Sequence, residues 1–115
     1  MPDLYAERCV PCRKGAVPLS DSEIHTLSSR LPDWKVVEDN GVRMLSRSFK
    51  TADFGSALAC ANRIGELAEE ADHHPQIIIE WGRVQVSWWT HTVKGLHRND
   101  FILAARSERV FAETS

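Results

Sequence analysis

The sequence predicts an α+β fold in which helices pack on one face of a four-stranded antiparallel sheet. Three observations support this prediction: an Asn40-Gly41 pair between two apolar segments, a long amphipathic stretch over residues 53–71, and a second hairpin pattern around Trp81-Gly82. The expected order is helix, two strands, long helix, two strands, helix (α-β-β-α-β-β-α). Because each strand pair is joined by a tight turn rather than a crossover, antiparallel pairing is favoured.

The first helix is expected to begin near residue 21. Residues 1–19 contain three prolines and no apolar periodicity, so they are predicted as an irregular N-terminal arm, with residues 20–115 as a single domain. Ser20 and Glu23 have the spacing of a capping box, which marks the start of a helix. Pro32 is expected to end that helix.

Two strands and a long helix follow. Residues 34–37 and 43–49 flank the Asn-Gly turn and are predicted to pair as antiparallel strands. Over residues 53–71 apolar side chains recur at intervals of three and four, which predicts a helix of about five turns whose apolar face covers the sheet. These apolar side chains are Phe54, Ala57, Leu58, Ala61, Ile64, Leu67, Ala68 and Ala71.

The second hairpin and the last helix complete the domain. Residues 76–80 and 83–89 are predicted as its strands, with alternate residues of the second strand facing the core. In this alternation Trp88 faces the core, whereas Trp89 faces the other way and is available to flank a flat ligand. Residues 97–112 are predicted to be helical.

Composition excludes several classes of function. The chain has 115 residues, of which 43% are apolar and 26% charged, as expected for one globular domain with its own core. A net charge of −2 argues against direct binding to nucleic acid. No apolar run approaches the roughly 20 residues of a membrane helix, and the N-terminus lacks a secretion signal, so a cytoplasmic protein is expected.

The cysteines give a weak signal. Cys9, Cys12 and Cys60 are an odd number, which favours reduced thiols over a disulfide framework. Cys9-x-x-Cys12 is half of a zinc site at best, and nothing with suitable spacing completes it. A structural or incidental role is favoured over a redox motif, because the pair lies in a proline-containing arm rather than at the start of a helix.

Three histidines and one aspartate are the strongest candidates for chemistry. His73 and His74 lie at the predicted junction between helix and strand, and the second hairpin returns His91 toward them. All three imidazoles, with Asp100, are therefore candidates for one acid–base site. For His73 and His74, a polar corner without a function and a metal site are the alternatives. No metal-binding spacing supports the metal site.

The carboxylates are ambiguous from the local sequence. Asp100 falls in the first turn of the last helix if Leu96 or His97 caps it, and a carboxylate there is favoured by the helix dipole alone. Glu69 and Asp72 are either solvated surface charges or, for Asp72, a partner that orients an imidazole.

Seven of these positions form a recognisable pattern. Glu69-x-x-x-His73-His74-Pro75, five residues, Trp81, nine residues, His91, eight residues and Asp100 span 32 residues. This pattern closely resembles the signature of pterin-4a-carbinolamine dehydratases, also known as dimerisation cofactors of a homeodomain transcription factor. The order of elements over residues 20–112 is also the one that this family uses, and the arm with Cys9-Val10-Pro11-Cys12 is similar to bacterial members.

The resemblance implies a lyase without a cofactor or metal. Its substrate would be 4a-hydroxytetrahydrobiopterin or a related 4a-hydroxytetrahydropterin, dehydrated to the quinonoid dihydropterin in tetrahydropterin recycling. The C4a hydroxyl needs an acid to leave, and loss of the N5 proton supplies the electrons that expel it, so histidines suit both tasks. Homodimers or homotetramers are also expected from the family.

The resemblance also implies roles for single residues. His73 and His91 would transfer protons, His74 would chiefly bind and orient the pterin within the catalytic site, and Asp100 would support that site. The expected substrate contacts are Glu69, Asp72, His74, Trp89 and Thr90. Two positions depart from the family: His97 stands where many relatives have Ser or Thr, and Trp89 replaces a small residue.

Two other functions compete with the dehydratase. Members of this fold also serve as oligomerisation partners, so a non-catalytic binding or regulatory module is one alternative. A pterin enzyme linked to molybdopterin metabolism is the other.

Overall fold

The computed structural model describes residues 4–7 and 17–114, so most of the predicted arm, including Cys9 and Cys12, lies outside the described residues. The helices and strands follow the predicted order after a short 3-10 helix at Leu4–Ala6. They are α1 (Asp21–Ser28), β1 (Lys35–Asp39), β2 (Val42–Lys50), α2 (Phe54–Ala71), β3 (Gln76–Glu80), β4 (Arg83–Trp88) and α3 (Arg98–Thr114).

The strands form one antiparallel sheet in the order β1-β2-β4-β3. In β4 the alternate residues Val84, Val86 and Trp88 are fully buried, which confirms the predicted alternation. Helices α2 and α3 pack against this face, and α1 adds Ile24 and Leu27 to the same core. The predicted α+β class, with helices on one face of a four-stranded sheet, is therefore confirmed.

The start of α1 and the turn between β1 and β2 form as their local sequences predict. Ser20 Oγ accepts the Glu23 N–H at 3.2 Å and Glu23 Oε1 accepts the Ser20 N–H at 3.0 Å, so the predicted capping box is present. The predicted turn at Asn40 and Gly41 is also confirmed, since both residues have positive φ angles of 51° and 80°. Helix α1 ends at Ser28, before Pro32, because the chain tightens into three-residue turns such as Leu31 N–H to Ser28 O at 3.0 Å.

Helix α3 is fastened to the sheet by a buried polar contact. Trp88 Nε1 donates to Ser107 Oγ at 3.1 Å, and this hydroxyl donates to the Leu103 carbonyl at 2.8 Å. Trp88 and Ser107 are almost completely buried, so the hydroxyl satisfies an indole N–H that has no access to water. The contact fixes Trp88, the largest side chain of the core, under the junction between α2 and β3 that carries His73.

Replacing Ser107 by Ala should destabilise the fold. The indole N–H would then be buried without an acceptor, which costs about 1–3 kcal/mol of unfolding free energy. Chemical denaturation monitored by tryptophan fluorescence measures this loss. Ser48→Ala is the matched control, because Ser48 is exposed and its removal should change stability by less than about 0.5 kcal/mol. Equal effects of the two substitutions would contradict the account.

Candidate active site

The junction between α2 and β3 sets the directions of the two adjacent histidines. Asp72 adopts the left-handed conformation (φ 51°, ψ 44°), its N–H donates to the Glu69 carbonyl at 3.2 Å, and the His73 N–H donates to the Ala68 carbonyl at 3.1 Å. This pair of bonds is a Schellman motif, which ends the helix and reverses the chain. As a result the His73 side chain is only 12% exposed, whereas that of His74 is 55% exposed.

A buried carboxylate holds His73. Asp100 lies in the first turn of α3 with its side chain fully buried. Its Oδ1 is 2.8 Å from His73 Nε2, and its Oδ2 accepts the Thr90 hydroxyl at 2.7 Å and the His97 N–H at 2.9 Å. With Asp100 as a carboxylate, Oδ1 accepts from His73, which assigns a proton to His73 Nε2 and leaves Nδ1 to exchange protons in the neutral ring.

Asp100 makes two kinds of contact. The His97 N–H bond closes the first turn of α3, where the helix dipole favours a negative charge. The bond to His73 orients an imidazole across 27 positions of sequence. Three hydrogen bonds to the buried carboxylate compensate for its lost hydration.

A short loop after β4 presents His91. Thr90 forms an isolated bridge with Gly95, whose carbonyl accepts the Thr90 N–H at 2.8 Å. A Cβ atom at Gly95 would lie 3.2 Å from Pro18 Cβ, so glycine allows a close approach of the loop to Pro18 here. His91 is exposed at the start of this loop, and its ring packs on Trp89 with 4.7 Å between centroids and 38° between planes.

Trp88 and Trp89 lie beside different histidines. Trp88 is fully buried, and its ring centroid lies 6.0 Å from that of His73. Trp89 is partly exposed beside His91, which confirms that successive residues face opposite sides. The partly exposed indole and the exposed imidazole in contact offer a flat aromatic surface next to the Thr90 end of the site.

His74 pairs with Glu69 away from the buried network. The distance between His74 Nε2 and Glu69 Oε2 is 3.0 Å, with 55% and 79% of the side chains exposed. Such an exposed pair contributes at most about 1 kcal/mol to stability, so both groups remain available to a ligand. They line an open cleft of about 620 Å³ between α2 and β3.

The described contacts therefore arrange the predicted residues in three sets. His73, Thr90 and Asp100 form one hydrogen-bonded network, His91 lies against Trp89, and His74 pairs with Glu69. The Thr90–Asp100 bond was missed from sequence, since a threonine at the end of a strand gives no signal of its own.

An ion pair lies beside the start of α3. Arg98, its first residue, donates through Nε and Nη2 to both carboxylate oxygens of Glu7 at 2.7 and 2.8 Å. The hydrogen bond from Arg98 lowers the pKa of the Glu7 carboxyl, and the same bond raises the pKa of the Arg98 guanidinium. A cation is unfavourable at a helix N-terminus, and Glu7 offsets it here.

Within residues 4–7 and 17–114, no group of three or more His, Cys, Asp or Glu side chains is arranged to hold a metal ion. In the same part of the chain, no helix has the length and apolar character needed to cross a membrane.

Asp72 offers a test that separates backbone geometry from substrate contact. Its side chain is exposed, and its observed part in the fold is the left-handed helix end. Asn tolerates this conformation as Asp does, so Asp72→Asn should keep the stability within about 0.5 kcal/mol while removing the charge. If the carboxylate contacts substrate, KM measured by steady-state kinetics rises. An unchanged KM would remove Asp72 from the substrate-binding residues.

Comparisons with known proteins identify the family of this chain. The family model "Pterin 4 alpha carbinolamine dehydratase" matches residues 17–110. A protein of Chlorobium limicola named "Putative pterin-4-alpha-carbinolamine dehydratase" is 54% identical over 93% of this chain and 95% of its own, and one of the same name from Nitrosococcus oceani is 47% identical over 96% and 97%.

Solved structures show the same fold. A crystal structure described as a transcriptional coactivator/pterin dehydratase from Brucella melitensis superposes with a TM-score of 0.74 at 30% identity, covering 81% of this chain and 97% of the other. A pterin dehydratase-like RuBisCO assembly factor of the α-carboxysome, at 21% identity and a TM-score of 0.58 over 69% and 89%, shares the fold alone. The predicted family is thus confirmed, and the chain belongs to the pterin-4a-carbinolamine dehydratase family.

Proposed function

We propose that this chain dehydrates a 4a-hydroxytetrahydropterin, such as 4a-hydroxytetrahydrobiopterin, to the quinonoid dihydropterin in tetrahydropterin recycling. The observation that carries the proposal is the His73–Asp100 pair, in which a fully buried carboxylate with three hydrogen bonds fixes an imidazole that remains 12% exposed. Family membership supplies the substrate class.

The reaction is an elimination of water. The C4a–O bond breaks with its electron pair on oxygen, which takes a proton from an acid and leaves as water. The electrons of the N5–H bond form the new double bond between N5 and C4a, and a base takes the N5 proton. One proton is given and one is taken, so the elimination needs two proton-transfer groups and no oxidant.

The environment of His73 favours the role of base. Asp100 accepts the Nε2–H bond, so the neutral ring has its lone pair on Nδ1, and the carboxylate stabilises the imidazolium that forms when Nδ1 takes a proton. His91 is then the acid that protonates the hydroxyl. Its exposed ring on Trp89 is consistent with a flat pterin entering next to it.

His74 and Glu69 are proposed to bind and orient the pterin. Glu69 presents acceptor oxygens, which match the adjacent amino and ring N–H donors on the pyrimidine edge of a pterin. His74 holds that carboxylate at 3.0 Å. Asp72, Trp89 and Thr90 complete the proposed substrate-binding set, with Thr90 acting through its bond to Asp100.

The proposal is tested by the decay of chemically prepared 4a-hydroxytetrahydropterin, followed by ultraviolet absorbance. Wild-type protein should accelerate the decay above the spontaneous rate, and His91→Ala should lose most of the acceleration, about 10²–10⁴-fold if His91 is the acid. His25→Ala is the matched control, because His25 is an exposed imidazole on α1. If wild-type protein gives only the spontaneous rate, the proposed function is wrong.

The expected homodimer or homotetramer in the cytoplasm is part of the same proposal. Support for assembly comes from large apolar side chains that are exposed in a single chain, including Phe54 at 48%, Leu58 at 42% and Trp81 at 73%. Light scattering coupled to size exclusion should give twice or four times the mass of one chain. A single-chain mass at micromolar concentration would contradict this expectation.

A further inference from the structure

His97 is bonded into the first turn of α3 through both its side chain and its backbone. Its Nδ1 accepts the Asn99 N–H at 3.0 Å, and its own N–H donates to Asp100 Oδ2 at 2.9 Å. The ring acts as the helix N-cap by accepting the N–H of the second helical residue, with an imidazole in the place of the usual hydroxyl or carboxylate acceptor, and Asp100 returns the reciprocal bond as in a capping box.

This cap assigns the proton on the His97 ring. A backbone N–H can only donate, so Nδ1 must be unprotonated and the neutral ring carries its proton on Nε2. A doubly protonated imidazole cannot accept this bond, and its charge would oppose the positive end of the helix dipole. The cap therefore exists only while His97 is neutral.

The same turn controls the carboxylate that holds His73. Asp100 Oδ2 is shared between the His97 N–H and the Thr90 hydroxyl, and Oδ1 contacts His73 Nε2. Among its described contacts, the Asp100 side chain has no other backbone donor than the His97 N–H, so a shift of residue 97 on loss of the cap would displace the carboxylate. A displacement there passes directly to the orientation of the His73 ring.

We propose that His97 is a positioning residue of the site: its neutral imidazole caps α3 and thereby holds Asp100, and through it His73, in the arrangement that transfers protons. The inference rests on the proposed function for its kinetic consequence. Its structural part, the coupling between the cap and the His73 ring, holds for any reaction that the site performs.

Charged side chains line a cleft beside His97. His97 itself lines this cleft, which has a volume of about 630 Å³. Its charged lining residues are Glu7 next to the 3-10 helix, Glu23 in α1, Arg30 after α1 and Arg98 of α3. Asp100 contacts His97 through the His97 N–H. Glu7 is engaged by Arg98, and Glu23 by the Ser20 N–H. The cleft gives protons from solvent a route to the partly buried imidazole.

The test compares His97→Ser with His97→Ala. Serine is a strong cap, so His97→Ser should keep kcat within about threefold of wild type. His97→Ala has no acceptor and should lower kcat on the order of tenfold to a hundredfold, with a smaller change in KM.

A second readout does not depend on pterin turnover. Imidazole ¹⁵N chemical shifts should show His97 protonated at Nε2 and His73 protonated at Nε2 in wild type, with His73 shifting toward mixed tautomers in His97→Ala and not in His97→Ser. Unchanged His73 shifts in the alanine variant would overturn the inference. So would equal kcat losses in both variants.

These readouts separate the inference from the proposed function. If the wild-type protein does not dehydrate the pterin, the proposed function is wrong. The ¹⁵N shifts of His73 in the His97 variants then still test the role of His97. If the alanine variant does not fold, the serine variant alone decides: a kcat loss of tenfold or more, or a His73 ring that shifts to mixed tautomers in His97→Ser, would contradict the inference.

Discussion

Replacing His73 by Gln should lower kcat for pterin dehydration by about 10²–10⁴-fold, the usual contribution of a positioned acid–base group. A glutamine amide can still donate to Asp100 Oδ1, so the buried carboxylate keeps its partner and the fold should survive. An amide cannot take the N5 proton. The loss should therefore appear in kcat with little change in KM, as steady-state kinetics will measure.

His25→Gln is the matched control, since it makes the same chemical change on the exposed side of α1. It should leave kcat unchanged, and both variants should show wild-type thermal unfolding within a few degrees. A His73→Gln enzyme that turns over at the rate of the control would exclude His73 as a proton-transfer group.

Replacing Asp100 by Asn should be as harmful to the rate and also destabilising. Both carboxylate oxygens accept hydrogen bonds, and an amide offers one oxygen and one NH₂ group. The oxygen must serve the His97 N–H, because a backbone amide cannot accept. The NH₂ group then faces His73 Nε2, which becomes an acceptor, so the ring takes the wrong tautomer for a base at Nδ1.

The expected cost is about 10²–10⁴-fold in kcat, together with about 1–3 kcal/mol of unfolding free energy for the imperfectly paired buried groups. Kinetics, denaturation and imidazole ¹⁵N shifts measure the three parts separately. Asp39→Asn, at the exposed end of β1, is the control. An Asp100→Asn protein with normal turnover and the wild-type His73 tautomer would show that the charge has no role in the site.

The fold was largely predictable because its signals are local. The Asn40-Gly41 turn, the Ser20–Glu23 box and the helical periodicity over 53–71 depend on neighbouring residues, and the structure shows each of them where the sequence places it. The end of α1 at Ser28 rather than at Pro32 depends on three-residue turns, which no residue type specifies strongly.

The site was less predictable because its bonds join distant elements. The residue types and the junction at His73-His74 follow from sequence. The separation of the two rings depends on the left-handed conformation of Asp72, which an aspartate does not by itself predict. The contact between His73 and Asp100 requires α3 to pack on β4 in one particular way. The use of His97 as a cap depends on a ring nitrogen that sequence patterns rarely associate with caps.

The central claim is that Asp100 acts through His73, and a double-mutant cycle of dehydration rates tests it most directly. We would measure kcat for wild type, His73→Gln, Asp100→Asn and the double variant. If the two residues act as one unit, the double variant should be within about threefold of the slower single variant. If the two losses multiply instead, Asp100 and His73 contribute independently, and the account of the site is wrong.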